Sequence, residues 1–174
     1  FQQLLRDAPD LSRELGQADD HNDRSYGHLP SISPHRQNRD SRDWVALIEL
    51  LRDAWLMLQD SHPERATEIA QSWFDLPYPT FKRLAFFAAS QDGCIIPEQW
   101  VDWLIADNVW WLWSLDTQRE TMCLLVLQGA NIPPQARAKL EAAILAGPPR
   151  AMYRDDIEPE SWQSLVGHSV WLHL

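Results

Sequence analysis

Residues 44–58 read WVALIELLRDAWLML. Trp44, Leu47, Ile48, Leu51, Trp55 and Leu58 recur at steps of three and four, which places them along one side of an α-helix. The spacing predicts a helix over about 42–59. Val45, Leu50, Leu56 and Met57 fall outside that stripe. A helix that is apolar on more than one side needs neighbours on more than one side, as it would have inside a stack of helices. Period-two alternation, the mark of a half-buried strand, is almost absent from the chain. The fold class that follows is all-α, with stacked antiparallel helical hairpins. The stack is either a HEAT- or TPR-like solenoid or an irregular helical array.

Downstream, prolines mark where helices restart. Ser61-His-Pro63 closes the first helix, and Pro63 suits a first helical position, where its missing N–H has no partner to lose. The next helix, 63–74, uses Ala66, Ile69, Ala70 and Trp73. After the corner Leu76-Pro-Tyr-Pro79, Thr80 is the expected N-cap of a helix over 80–91 that buries Phe81, Leu84, Ala85 and Ala88. Ile96-Pro97-Glu98 opens a helix running to Ala106, and Asn108–Leu115 adds a short helical turn rich in tryptophan. Asp116 is placed as an N-cap, with Glu120 near a capping-box position, for a helix over 117–129. Its run Met122–Leu127 is apolar all round, so this helix is expected to be the most buried. Pro133 or Pro134 opens 134–146, and a last helix covers the tail from Glu158 to Leu174. Ile96-Pro-Glu-Gln99 and Ile132-Pro-Pro-Gln135 share an I-P-x-Q start, the recurrence a helical-hairpin repeat produces.

Upstream, the pattern changes. Residues 1–15 read as a short helical segment broken near Pro9. Residues 16–43 carry Asp19, Asp20, Asn22, Asp23, Pro30 and Pro34 with few large apolar side chains. Such a stretch has little surface to bury against its chain entropy. It reads as a polar, partly flexible connection and as the boundary inside the chain. Residues 44–174 then form the helical-hairpin domain.

The 174-residue chain has a formal net charge of −10, and only Lys82 and Lys139 are lysines. Phosphate binding rests on clustered Lys and Arg, so nucleic acid is disfavoured as a main partner. Arg36, Arg39 and Arg42 form the best local patch for it. No apolar run approaches the roughly 18 residues of a membrane span. Cys94 and Cys123 sit in no metal-ligand spacing, and Cys123 reads as a buried free thiol. Two thiols without a disulfide framework fit a cytoplasmic location. The chain opens at Phe1 without a secretory pattern, so it reads as a piece of a larger protein.

Ten tryptophans are the notable excess. Trp103, Trp110, Trp111 and Trp113 could line a pocket for a sugar or a flat ligand, with Asp102 or Asp107 as its carboxylate. Aromatic residues at helical spacing are usually core, and that is the favoured reading of these four. Tyr153-Arg-Asp-Asp156, close after Arg150, reads as a solvated loop or an interaction patch. His21, His28 and His35 recur every seven residues, a spacing without meaning in a loop, and no Cys or carboxylate completes a metal pattern. They read as solvent-exposed. His168 and His173 do not share a helical face. There is no nucleophile elbow, GxGxxG or P-loop. No catalytic residue, cofactor or metal is therefore assigned. The candidate ligand or partner surface is Trp103, Asp107, Trp110, Trp111, Trp113, Arg150 and Tyr153.

Three stretches resemble the helical C-terminal regions of large bacterial defence proteins, the antiviral STAND NTPases and related ATPases. They are Ser33-Pro-His-Arg-Gln-Asn-Arg39 leading into Trp44–Leu58, Phe81-Lys-Arg-Leu-Ala-Phe-Phe-Ala88, and Gly147-Pro-Pro-Arg150. The resemblance covers roughly residues 31–150. It implies helical repeats that bind a target protein or hold an oligomer, beside an NTPase domain and an effector domain; the 174 residues depart from a whole member in having no P-loop. The expected function is a protein-interaction or scaffolding module, with other domains of the same chain or a separate protein as partner. The alternative is a helical enzyme or ligand-binding domain with a Trp-lined pocket.

Overall fold

The computed structural model describes residues 2–38 and 43–173. The fold is all-α, and among these residues the only β feature is an isolated bridge between Asp19 and Asn22. The helices are α1 (Gln2–Glu14), α2 (Ser25–His28), α3 (Ala46–Ser61), α4 (Pro63–Asp75), α5 (Pro79–Ala89), α6 (Pro97–Trp113), α7 (Gln118–Gln128), α8 (Pro134–Ala146) and α9 (Pro159–His173). Short 3-10 turns lie at Asp43–Val45, Gly129–Asn131 and Arg150–Met152.

The stripe of α3 does what its spacing requires. Ile48, Leu51 and Trp55 are buried, and α3 folds back against α4 across the single residue His62. Trp55 donates its indole N–H to the Ala66 carbonyl at 2.9 Å, and its ring lies 6.0 Å from Trp73 and 6.2 Å from Phe87. Helix α4 packs on α5, α5 on α7, α7 and α8 on α6, and α9 on α8, while α1 covers α3. α8 and α9 approach closely at Gly147, where φ is +78° and an added Cβ would lie 2.6 Å from Val166 Cγ1.

The most buried helix is α5, not the all-apolar α7. Every residue of Pro79–Ala89 is buried, Lys82 and Arg83 included. In α7 the buried positions are Glu120, Thr121, Leu124 and Gln128, while Val126 and Leu127 face outward. Apolar composition does not decide burial here. Each buried polar residue of α7 has a partner inside: Glu120 meets Arg83 of α5, Thr121 donates to the Trp111 carbonyl, and Gln128 donates to the Ser90 carbonyl and Asp92.

Other boundaries differ in instructive ways. α1 continues through Pro9, which is buried beside Leu5 one turn earlier; packing holds the turn despite the lost N–H. The two I-P-x-Q segments take different registers. Pro97 is the first helical residue of α6, whereas Pro133 precedes α8, which starts at Pro134. Cys123 is half-buried rather than buried, and both thiols are free. Burial pushes the Cys94 thiol up.

The largest departure concerns the described part of the polar connection, 16–38. Leu29 and Ile32 are completely buried, as are Asp23 and Ser25. Hydrogen bonds hold the stretch alongside this apolar burial. Asp23 Oδ1 accepts from the Ser25 N–H at 2.9 Å and Oδ2 from the Thr80 N–H at 2.7 Å, so it caps α5 from a distant part of the chain. Thr80 itself lies inside α5 and its hydroxyl is buried without a partner among the described residues. Arg52 donates to the Ile32 carbonyl at 2.7 Å.

Candidate functional site

The tryptophan cluster straddles a break in α6. Ala106 leaves helical geometry, and Asp107, Asn108 and Val109 take φ of +51°, +53° and +59°. Asp and Asn tolerate this left-handed region; a β-branched valine does not, so the break stores strain. On the near side, Trp103 is buried and stacks on Phe74 with ring centres 4.9 Å apart. Beyond it, Trp111 is also buried, whereas Trp110 and Trp113 are only half-buried and line a cleft. Trp103 and Trp111 are therefore core residues.

Trp111 helps house a buried cation. Lys82 Nζ lies 5.4 Å from the Trp111 ring centre and 4.5 Å from that of Phe74. It donates to the carbonyls of Phe74 and Leu76 at the C-terminal end of α4, where a helix dipole favours positive charge. Burial still lowers its pKa.

The cleft has a volume of about 380 Å³. Trp110 and Trp113 come from the end of α6, Asp116 from the turn before α7, Met152 and Tyr153 from the segment after α8, and Ser169 from α9. His21 closes it from the connection. This histidine is not merely solvent-exposed. Its Nε2 lies 2.6 Å from Asp107 Oδ2, and its ring stacks on Trp110 at 4.0 Å. The break in α6 thus sets Asp107 where it can hold the imidazole against the indole. His28 is exposed, and His35 accepts the Gln37 N–H through Nδ1. No group of three His, Cys, Asp or Glu able to hold a metal occurs among the described residues.

Asp116 is not an N-cap. α7 begins two residues later, and Thr117 occupies the capping position but turns its hydroxyl to the Trp111 carbonyl instead of to the helix. Asp116 forms no ion pair among the described residues. Burial, reinforced by Asp23 and Asp19 and opposed by Arg83, pushes its carboxyl up to about 6. Arg83 cannot serve as its partner at contact distance. Its Nε donates to Glu120 Oε2 at 3.0 Å, and its terminal nitrogens donate to Ser25 Oγ, the Leu29 carbonyl and Glu120 Oε1. Glu120, expected to complete a capping box, is instead the buried counter-ion of α5.

Arg150 and Tyr153 lie side by side, in different roles. Arg150 sets its guanidinium 5.1 Å from the Trp162 ring centre and donates to the Arg154 and Asp155 carbonyls, which shapes the loop behind the cleft. Tyr153 meets the same indole edge-on at 5.2 Å and also lines the cleft. Arg154, Asp155 and Asp156 are exposed, whereas Tyr153 is half-buried. Asp102 is exposed and pairs with Lys139, so it takes no part. The structure therefore joins Trp110, Trp113 and Tyr153 in one site, adds His21, Asp116 and Met152, and leaves out Trp103 and Trp111. Arg36 is exposed, and Arg39 and Arg42 lie outside the described residues.

The chain matches no protein-family model, and no curated protein or solved structure is similar to it. Among the described residues, no helix is long and apolar enough to cross a membrane.

Proposed function

We propose that the chain is a protein-recognition module that takes a segment of its partner into the aromatic cleft. One observation carries the reading. Trp110, Trp113, Met152 and Tyr153, drawn from separate parts of the chain, line one open cleft. Aromatic residues and methionine are the types enriched at the centres of protein interfaces, where a few anchors supply most of the binding energy. Leu115 stands at the cleft, 66% exposed, as an apolar rim. Acid–base catalysis on a sugar needs two carboxylates facing one bond. Among the described residues the cleft offers Asp116 alone, since Asp107 holds His21.

The resemblance of residues 31–150 to helical regions of antiviral STAND NTPase-type proteins gives this reading a setting. There the module serves as a sensor or scaffold in a bacterial cytoplasm, and its partner is a target protein or another domain of the same chain. A flat small ligand is the second reading, favoured by the way an imidazole already stacks on Trp110 at 4.0 Å.

Selection of random peptides on the immobilised chain tests the first reading, with the Trp113→Ala and Tyr153→Ala variants as counter-targets. A shared motif that binds the wild-type chain and loses at least about tenfold in affinity on both variants supports it. Failure to enrich any peptide, or enrichment only of peptides that bind all three proteins alike, overturns it.

A further inference from the structure

We infer that the partner residue entering the cleft is an arginine, its guanidinium lying among the cleft's aromatic side chains and directed at the Asp116 carboxylate. The inference rests on the partner-binding reading above and names what that partner brings.

Charge is the first argument. The chain carries a net charge of −10, and Asp116 lines the cleft without an ion pair among the described residues. The nearest cation acting on it, Arg83, has its nitrogens committed to Glu120, Ser25 and Leu29. Asp23 and Asp19 add like charge from the connection, and His21 at the cleft edge is bonded to Asp107. An incoming cation would therefore meet a carboxylate that Arg83 acts on only from beyond ion-pair distance.

Shape is the second. A guanidinium is planar, stacks on aromatic faces and pairs with a carboxylate through two parallel N–H donors. It is also more weakly hydrated than an ammonium, so it enters a half-buried aromatic site at lower desolvation cost. This part of the fold already accommodates one such pairing, in which Arg150 lies over Trp162 with Tyr153 against the same ring. Arg150 does not line the cleft, and its donors are used by the Arg154 and Asp155 carbonyls.

The test is a titration followed by the indole N–H resonances of the ¹⁵N-labelled chain. The probes are the peptides Ac-Gly-Ser-Xaa-Ser-Gly-NH₂, with arginine, lysine, citrulline or leucine at Xaa. The arginine peptide is expected to shift the Trp110 and Trp113 resonances. Citrulline, the neutral near-isostere, should bind at least about tenfold more weakly, and lysine should fall between them. Asp116→Asn should abolish the advantage of arginine over citrulline, with its helical circular dichroism unchanged. Tyr153→Ala, checked the same way, should weaken all four peptides. Citrulline, leucine or lysine binding as tightly as arginine would overturn the inference and leave the partner-binding reading standing. No peptide shifting a cleft resonance would overturn both.

Discussion

Arg83 Nε donates to Glu120 Oε2 at 3.0 Å, and the two side chains are 0% and 4% exposed. This buried pair joins α5 to α7 and also holds the connection, since Glu120 Oε1 accepts the Ile32 N–H at 2.7 Å and Arg83 donates to the Leu29 carbonyl at 2.6 Å. Removing one partner strands the other as a buried charge, which costs about 3–5 kcal/mol. Glu120→Ala should therefore lower stability in urea by that amount and expose residues 16–38 to limited proteolysis. A loss below about 1 kcal/mol, with the connection still protected, would mean that the apolar contacts of Leu29 and Ile32 hold the segment alone.

Asp23 and Thr80 make an opposed pair of predictions. Asp23 accepts the Thr80 N–H at the start of α5, so Asp23→Ala should cost about 1–2 kcal/mol as a lost cap. The Thr80 hydroxyl is buried without a partner among the described residues, so the isosteric Thr80→Val should be neutral or stabilising, by up to about 1 kcal/mol. Chemical denaturation of both variants checks the assignment. The reverse order would return the capping role to Thr80.

The tryptophans should separate by position. Trp103→Ala and Trp111→Ala empty packed volume and should each cost about 3–5 kcal/mol. Trp113→Ala, at the cleft, should cost less than either and act chiefly on binding. Wild-type melting temperatures for both Trp103→Ala and Trp111→Ala would remove these two residues from the core.

Val109 sits at φ +59° in the break of α6. Asparagine accepts this conformation more readily than a β-branched side chain, so Val109→Asn should stabilise the fold by about 1 kcal/mol. Destabilisation in thermal melts would show that the apolar contacts of the half-buried valine outweigh the relief of strain.

What the sequence disclosed follows from the range of the forces involved. The stripe Ile48-Leu51-Trp55 and the prolines at 63 and 97 act within a few residues, so helices and their starts could be read directly. Asp23 capping α5, Glu120 meeting Arg83 and His21 reaching Asp107 join residues far apart in the chain, and no local spacing encodes them. Local rules gave Thr80 and Asp116 capping roles because their side chains are suited to it; the fold supplied a different cap for α5 and none for α7. The site was half legible. Trp110, Trp113 and Tyr153 could be named, but the break at Asp107–Val109 decides which face of the following turn meets the core, and a left-handed valine has no sequence signal.

Asp116 gives the last prediction, in which the sign matters. Its carboxyl titrates near 6 in the fold against an ordinary value of 3.8, because burial disfavours the ionised form. The folded chain thus holds that proton more tightly than the unfolded chain does. The resulting contribution to stability is complete below about pH 4 and is lost as pH rises through about 6. Asp116→Asn stays neutral throughout, so the variant should melt close to wild type at pH 4 and about 2–4 °C higher at pH 7.5, partial exposure having screened the full effect. Comparing the two proteins at both pH values cancels the titration of the histidines. A variant that melts lower at pH 7.5 would mean that attraction by Arg83 exceeds the cost of burial, and Asp116 would then be a satisfied anion with little to gain from a cation. The predicted rise marks a carboxylate that the fold keeps at a cost, and a guanidinium docked in the cleft beside it would relieve that cost.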